Sequence, residues 1–91
     1  MEKTVYKAPE RIDRNSSEDV QEEIWKLLDE GVTDLVIDMT ELTYISSAGL
    51  RVLIALRKRL GDSGSLVLKN VPEVVMETLA VTGLLKIMNI E

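Results

Sequence analysis

The spacing of apolar residues switches back and forth between two periods along this chain, and that alternation restricts the fold more than any other feature. Val20, Ile24, Leu27 and Leu28 fall at i, i+4, i+7 and i+8, the stripe of an amphipathic helix. Asn15 or Ser16 can cap its first turn, Glu18, Asp19, Glu22 and Glu23 suit the positive end of the helix dipole, and Gly31 is a natural stop. Leu35-Val36-Ile37 is then a continuous apolar run between Asp34 and Asp38, the mark of a strand buried on both faces. A polar turn, Thr40 to Thr43, leads through Tyr44-Ile45-Ser46-Ser47-Ala48-Gly49 into a second helix from about Ala48 to Leu60, ended by Gly61. Ser65 to Lys69 repeats the strand pattern, and Pro72-Glu73 opens a third helix through Val75, Met76 and Leu79, which Gly83 terminates. Thr4-Val5-Tyr6, closed by Pro9, and Lys86 to Ile90 supply a first strand and a short edge strand. This order, β-α-β-α-β-α-β with short connections, predicts an α/β domain with a mainly parallel four-stranded sheet, three main helices and right-handed crossovers.

A length of 91 residues gives one domain, 1–91, because two would each lack a sufficient core. With no cysteine and no histidine, disulfides, thiolate or imidazole metal sites and any Ser-His-Asp triad are excluded. A net charge of −5 opposes binding to nucleic acid or to anionic membrane surfaces. The longest uncharged stretch, Leu42 to Leu50, is far shorter than the ~18 apolar residues a membrane span needs. Met1-Glu2-Lys3-Thr4 has no apolar signal core behind it, so a cytoplasmic location is expected.

In open α/β sheets, reactive groups gather at the carboxyl ends of strands, beside helix N-termini. That rule selects Asp13, Asp38 and the Ser46-Ser47 pair, and predicts that they are neighbours. A hydroxyl at Ser47 would face unpaired backbone N–H groups, where a phosphate adds about −1.5 to −2 charges at small cost to the fold. Gly49 would let a large partner approach that hydroxyl. The bland alternative is that a serine before a helix is a cap and nothing more. Helical projection sets Gly49, Val52, Leu53, Leu56 and Leu60 toward the sheet and turns Leu50 and Ile54 away. Those two aliphatics, with Arg51, Arg57, Lys58 and Arg59, suit a protein-docking face, unless neighbouring loops cover them. Trp25 lies off the first helix's stripe, either as a binding anchor or, as we favour, as a lid on the core. The first helix and its flanks are strongly acidic, which fits a solvated face or steering toward a basic partner. An enzyme using Asp13 or Asp38 as base and Ser47 as nucleophile would need a lysine near the serine, and only Lys69 is a loose candidate.

The segment from Leu35-Val36-Ile37-Asp38 through Tyr44-Ile45-Ser46-Ser47-Ala48-Gly49-Leu50-Arg51-Val52-Leu53 resembles the STAS domain of bacterial anti-sigma factor antagonists. Arg11-Ile12-Asp13 upstream, and Val81-Thr82-Gly83-Leu84 with Ile87 downstream, extend the resemblance over about residues 4–90. The resemblance implies a switch with no catalysis, cofactor or metal of its own. Its partner would be an anti-sigma factor that is also a serine kinase, bound when the antagonist is unphosphorylated and released after phosphorylation. By position, Ser47 is the implied phosphoacceptor, and Asp13, Asp38, Ala48, Gly49, Leu50, Arg51 and Ile54 contribute to partner binding. The family commonly has Asp immediately before the acceptor, whereas this chain has Ser46, a competing acceptor. The family also begins with one more strand, so the strand at Thr4 to Lys7 is expected to pair across a homodimer or to be masked by a partner. The alternative role is an unphosphorylated accessory subunit of a membrane transport or signalling assembly.

Overall fold

A computed structural model describes residues 3–91. The strands are β1 (Thr4–Lys7), β2 (Arg11–Ile12), β3 (Asp34–Asp38), β4 (Tyr44–Ile45), β5 (Ser65–Lys69) and β6 (Asn89–Ile90). The helices are α1 (Ser17–Asp29), α2 (Ser47–Leu60) and α3 (Glu73–Val81), with a short 3-10 turn at Leu84–Lys86. Strands β1, β3, β5 and β6 form a four-stranded sheet in the order β1-β3-β5-β6, and every pairing is parallel. The predicted α/β architecture with a four-stranded parallel sheet and three helices is what forms.

Two short strands were not legible in the sequence. β2 pairs in parallel with β4 as a separate two-stranded ladder, Arg11 against Tyr44 and Ile12 against Ile45. Each is only two residues long, too short for any alternation to show. The chain therefore leaves β1 through buried Ala8 and Pro9 and runs straight into a second pairing.

The registers sort the sheet residues into two faces. Leu35, Ile37, Leu66 and Leu68 join Val20 and Ile24 of α1, Leu53 and Leu56 of α2, and Val75 and Leu79 of α3 in one core cluster. All three helices thus cover the same face of the sheet. Val5, Val36 and Val67 lie side by side on the other face, outside that cluster. Val36 and Val67 are buried there, whereas Val5 on the edge strand is exposed.

Local chemistry explains the helix ends. Ser16 occupies the cap position of α1, but its hydroxyl makes no cap; it donates to Arg11 O and accepts from the Asp13 N–H, both at 3.0 Å. The turn is closed instead by Asp13, whose Oδ1 accepts from the N–H groups of Asn15 (2.9 Å) and Ser16 (3.1 Å). This corrects the expectation of an Asn15 or Ser16 cap: an Asx turn placed one step earlier satisfies the same strand-to-helix transition. Gly31, beyond the end of α1, adopts a φ of +102°, which only glycine takes without strain. Trp25 is half-buried against the core, and Arg59 lies over its ring at 5.2 Å while pairing with Asp29. Its role is the lid.

Candidate functional site

The β2-β4 ladder builds the site. The Ser46 N–H donates to Ile12 O at 2.8 Å, which fixes the residue after β4 beside the residue that ends β2. Asp13 follows Ile12, so the Asp13 and Ser46-Ser47 segments lie together as predicted. Ser46 has an extended backbone, φ −90° and ψ 175°, and is the N-cap of α2: its Oγ accepts from the Gly49 N–H at 3.3 Å and its carbonyl from Leu50 N–H at 2.9 Å. Ser47 is the first helical residue and is exposed.

That arrangement divides two roles the sequence could not separate. The hydroxyl that meets the helix amides belongs to Ser46, not Ser47, which corrects the expectation for Ser47. Ser47 Oγ has no hydrogen-bond partner among the described residues. The first turn of α2 carries no acidic residue, in contrast to Glu18 and Asp19 in that of α1. Arg51, one turn beyond Ser47 at i+4, is exposed on the same side.

Gly49 is buried, and its reason is internal. A Cβ there would stand 2.7 Å from Ile45 Cγ1, 2.8 Å from Ile12 Cγ2 and 2.9 Å from Ile12 O. The glycine lets α2 sit directly on the β2-β4 ladder, which corrects the expectation that it makes room for a partner. The same close seating corrects Leu50, which is only 7% exposed and belongs to the core cluster. A helix sunk against a ladder at its start buries more of its circumference than one resting on a single sheet. Ile54 is half-buried against the core, so of the predicted docking residues on α2, Ala48, Arg51 and the edge of Ile54 remain available. A groove of about 330 Å³ lies between the N-terminal turns of α1 and α2, lined by Ser17, Glu18, Gln21, Ala48, Arg51 and Val52.

The two aspartates have diverged. Asp13 is held below the usual carboxylate range, foremost by the Ser16 N–H, with Asn15 N–H, Arg11 and the Ser16 hydroxyl adding to it against partial desolvation. Asp38 is lowered from 3.8 to about 2, first by the Thr40 hydroxyl, then by the Thr40 N–H and the Asn70 side chain. Thr40 Oγ1 donates to its Oδ1 at 2.5 Å and Asn70 Nδ2 at 3.1 Å. Its carboxylate lines a cavity of about 350 Å³ with Lys3, Val5, Val36, Lys69, Asn70 and Glu91, on the face of the sheet that the helices leave open. Asp38 therefore does not join Asp13 and Ser47; alternation along β3 points it with Val36, away from the helix layer. Arg11, to which the sequence assigns no role, has its guanidinium 4.6 Å from the Tyr44 ring centroid and 3.4 Å from Asp13 Oδ2. Only the β2-β4 register brings that trio together. No group of acidic side chains suited to hold a metal ion occurs among the described residues, nor any helix long and apolar enough to cross a membrane.

A parallel sheet covered on one face, with a capped serine pair opening the second helix beside an acidic turn, defines the class: residues 2–91 match the STAS domain model, and the chain belongs to that family. Among individual proteins, it is 35% identical over 77 residues to a Bordetella bronchiseptica protein named "Putative anti-sigma factor antagonist BtrV". That alignment covers 84% of this chain and 66% of the relative, just under two thirds of its length. The fold is similar to a Thermotoga maritima protein described as a "putative anti-sigma factor antagonist", with TM-score 0.85 and 21% identity, over 94% of this chain and 77% of that one. It is also similar to the Bacillus cell fate determinant SpoIIAA in its phosphorylated form, with TM-score 0.74 and 20% identity, over 99% of this chain and 83% of that one. Unphosphorylated SpoIIAA, an anti-sigma factor antagonist, gives TM-score 0.75 at 16% identity over 99% and 79% of the two chains.

Proposed function

We propose that this protein is an anti-sigma factor antagonist whose affinity for its partner is switched by phosphorylation of Ser47. The partner is an anti-sigma factor with serine kinase activity, which binds the unmodified protein and releases the modified one. The observation that carries this reading is the division of labour at the start of α2: Ser46 is engaged as the cap, and Ser47 is exposed and unbonded. In the transfer step, Ser47 Oγ attacks the γ-phosphorus of ATP held by the kinase, the bond to the ADP oxygen breaks, and the hydroxyl proton passes to a base on the kinase. The product phosphate sits at the positive end of α2, one turn from Arg51, where an added dianion costs the fold little. The change read by the partner is then one of charge, while the backbone stays in place.

Ala48 and Arg51 line the groove beside the first turn of α2, and Asp13 follows Ile12, which the Ser46 N–H holds next to the serine pair; these three supply the docking contacts in this reading. β1 lies at one edge of the four-stranded sheet, so pairing of two copies along Thr4–Lys7 is the form of self-association that fits. Sedimentation showing a monomer at high concentration counts against it. The main test mixes the protein with its cognate kinase and ATP. One phosphate is expected on the wild type and on Ser46→Ala, and none on Ser47→Ala. Persistence of the label in Ser47→Ala overturns the assignment. Stable co-purification with a membrane transport assembly, with no phosphate ever found, moves the reading to an accessory subunit.

A further inference from the structure

The geometry points to the outer seam of α3 as a docking site for a cationic amphipathic helix of a partner protein. Of the large hydrophobic side chains that stand exposed, two are on α3: Val74 at 56% and Val81 at 87%. With Glu77 and Thr78 they occupy i, i+3, i+4 and i+7, one continuous stripe along the helix. The opposite stripe, Val75 and Leu79, is fully buried in the core. Beyond its buried stripe α3 therefore exposes two more apolar side chains, one at each end of an outer stripe that has Glu77 and Thr78 in the middle. The stripe lines a shallow groove of about 300 Å³ with Thr82. Its hydroxyls ask nothing of a partner, because Thr78 Oγ1 donates to Val74 O at 3.2 Å and Thr82 Oγ1 to Thr78 O at 2.9 Å.

Charge decides the occupant. α3 itself carries two acids, Glu73 and Glu77, and no lysine or arginine; Lys69 and Lys86 lie beyond its ends and do not line the groove, whereas Glu77 does. Both glutamates are exposed, and neither forms a salt bridge among the described residues. A second copy fits poorly: antiparallel pairing that sets Val74 of one copy against Val81 of the other brings both Glu77 side chains to the two-fold axis. A helix with apolar residues one and two turns apart, flanked by Lys or Arg, satisfies the valines and the carboxylates together.

The test uses the full unphosphorylated chain and two fluorescein-labelled synthetic helical peptides with the same apolar seam, one carrying lysines at the flanking positions and one glutamates. Fluorescence anisotropy is expected to detect binding of the lysine peptide alone. The double variant Val74→Ser/Val81→Ser should weaken it about tenfold or more, and Glu77→Lys should weaken it while admitting the glutamate peptide. Circular dichroism checks that these surface variants fold. No binding of the lysine peptide, equal binding of both peptides, or indifference to the valine variants overturns the inference. Dimerisation by sedimentation that is lost in Val81→Ser also overturns it, because a second copy is then the occupant. None of these results depends on Ser47, so they leave the phosphorylation reading to stand or fall by its own assay.

Discussion

Helices α2 and α3 both return from one strand to the next across the same face of the sheet, yet they present opposite chemistry to solvent. α2 buries Gly49, Leu50, Val52, Leu53, Leu56 and Leu60 and keeps serine and cations outside. α3 buries only Val75 and Leu79 and keeps two valines outside. At its start α2 presses directly on the β2-β4 ladder through Gly49, which meets Ile12 and Ile45; α3 also touches β4, but it is shorter and buries only two residues. The helix with the longer buried stripe keeps polar residues outside, and the shorter one leaves apolar surface facing water.

The strongest way to break that contrast is to truncate inside. Leu56 is 0% exposed, and Leu56→Ala should cost ~2–5 kcal/mol of unfolding free energy in urea titration. A loss near that of a surface change would mean α2 is not seated as described. Gly49→Ala follows, at roughly 1–3 kcal/mol, since the new methyl meets the Ile12 carbonyl and two isoleucine side chains with no slack. Ser46→Ala should cost ~1 kcal/mol as a lost cap, against less than ~0.5 kcal/mol for Ser47→Ala. Equal costs for the two serines would dissolve the division between them. Val81→Ser on α3 should change stability by no more than about 0.5 kcal/mol, for all its apolar character.

The smallest effect is one of pH. Asp38 ties the turn before α3 through Asn70, and its carboxyl is lowered from 3.8 to about 2 in the folded protein. A lowered folded value means that its stabilisation is fully present above about pH 4 and is lost as pH falls toward 2. The Thr40 amide and the Asn70 side-chain amide should report a midpoint near 2 by NMR, while the Gly49 amide, bonded to a hydroxyl, stays flat. In Asp38→Asn the Thr40 signal should lose that midpoint.

Much of the fold was legible because its long elements repeat a period. The α1 stripe, the runs at Leu35–Ile37 and Ser65–Lys69, and the glycines beyond α1 and α2 each follow from local spacing. The site was only partly legible. Ser47 is exposed at the helix start as expected, but the identity of the capping serine depends on one backbone angle, and the packing of Gly49 on a residue 37 positions earlier, Ile12, leaves no local trace. Asp38 looked equivalent to Asp13 because both end strands; which face each carboxylate takes was set by register. α3 hid its exposed valines because Val74, Val75, Leu79 and Val81 are all apolar, and no period distinguishes the inner pair from the outer.

The short ladder joining Ile12 to Ser46 welds together two stretches of chain that the sequence keeps apart. If Ser47 is the phosphoacceptor proposed above, its kinase would meet a constellation laid out in space and not a word spelled along the backbone. A linear peptide spanning the serine would carry the hydroxyl but not the aspartate, the arginine or the angle between them, and should make a poor surrogate substrate for the folded domain.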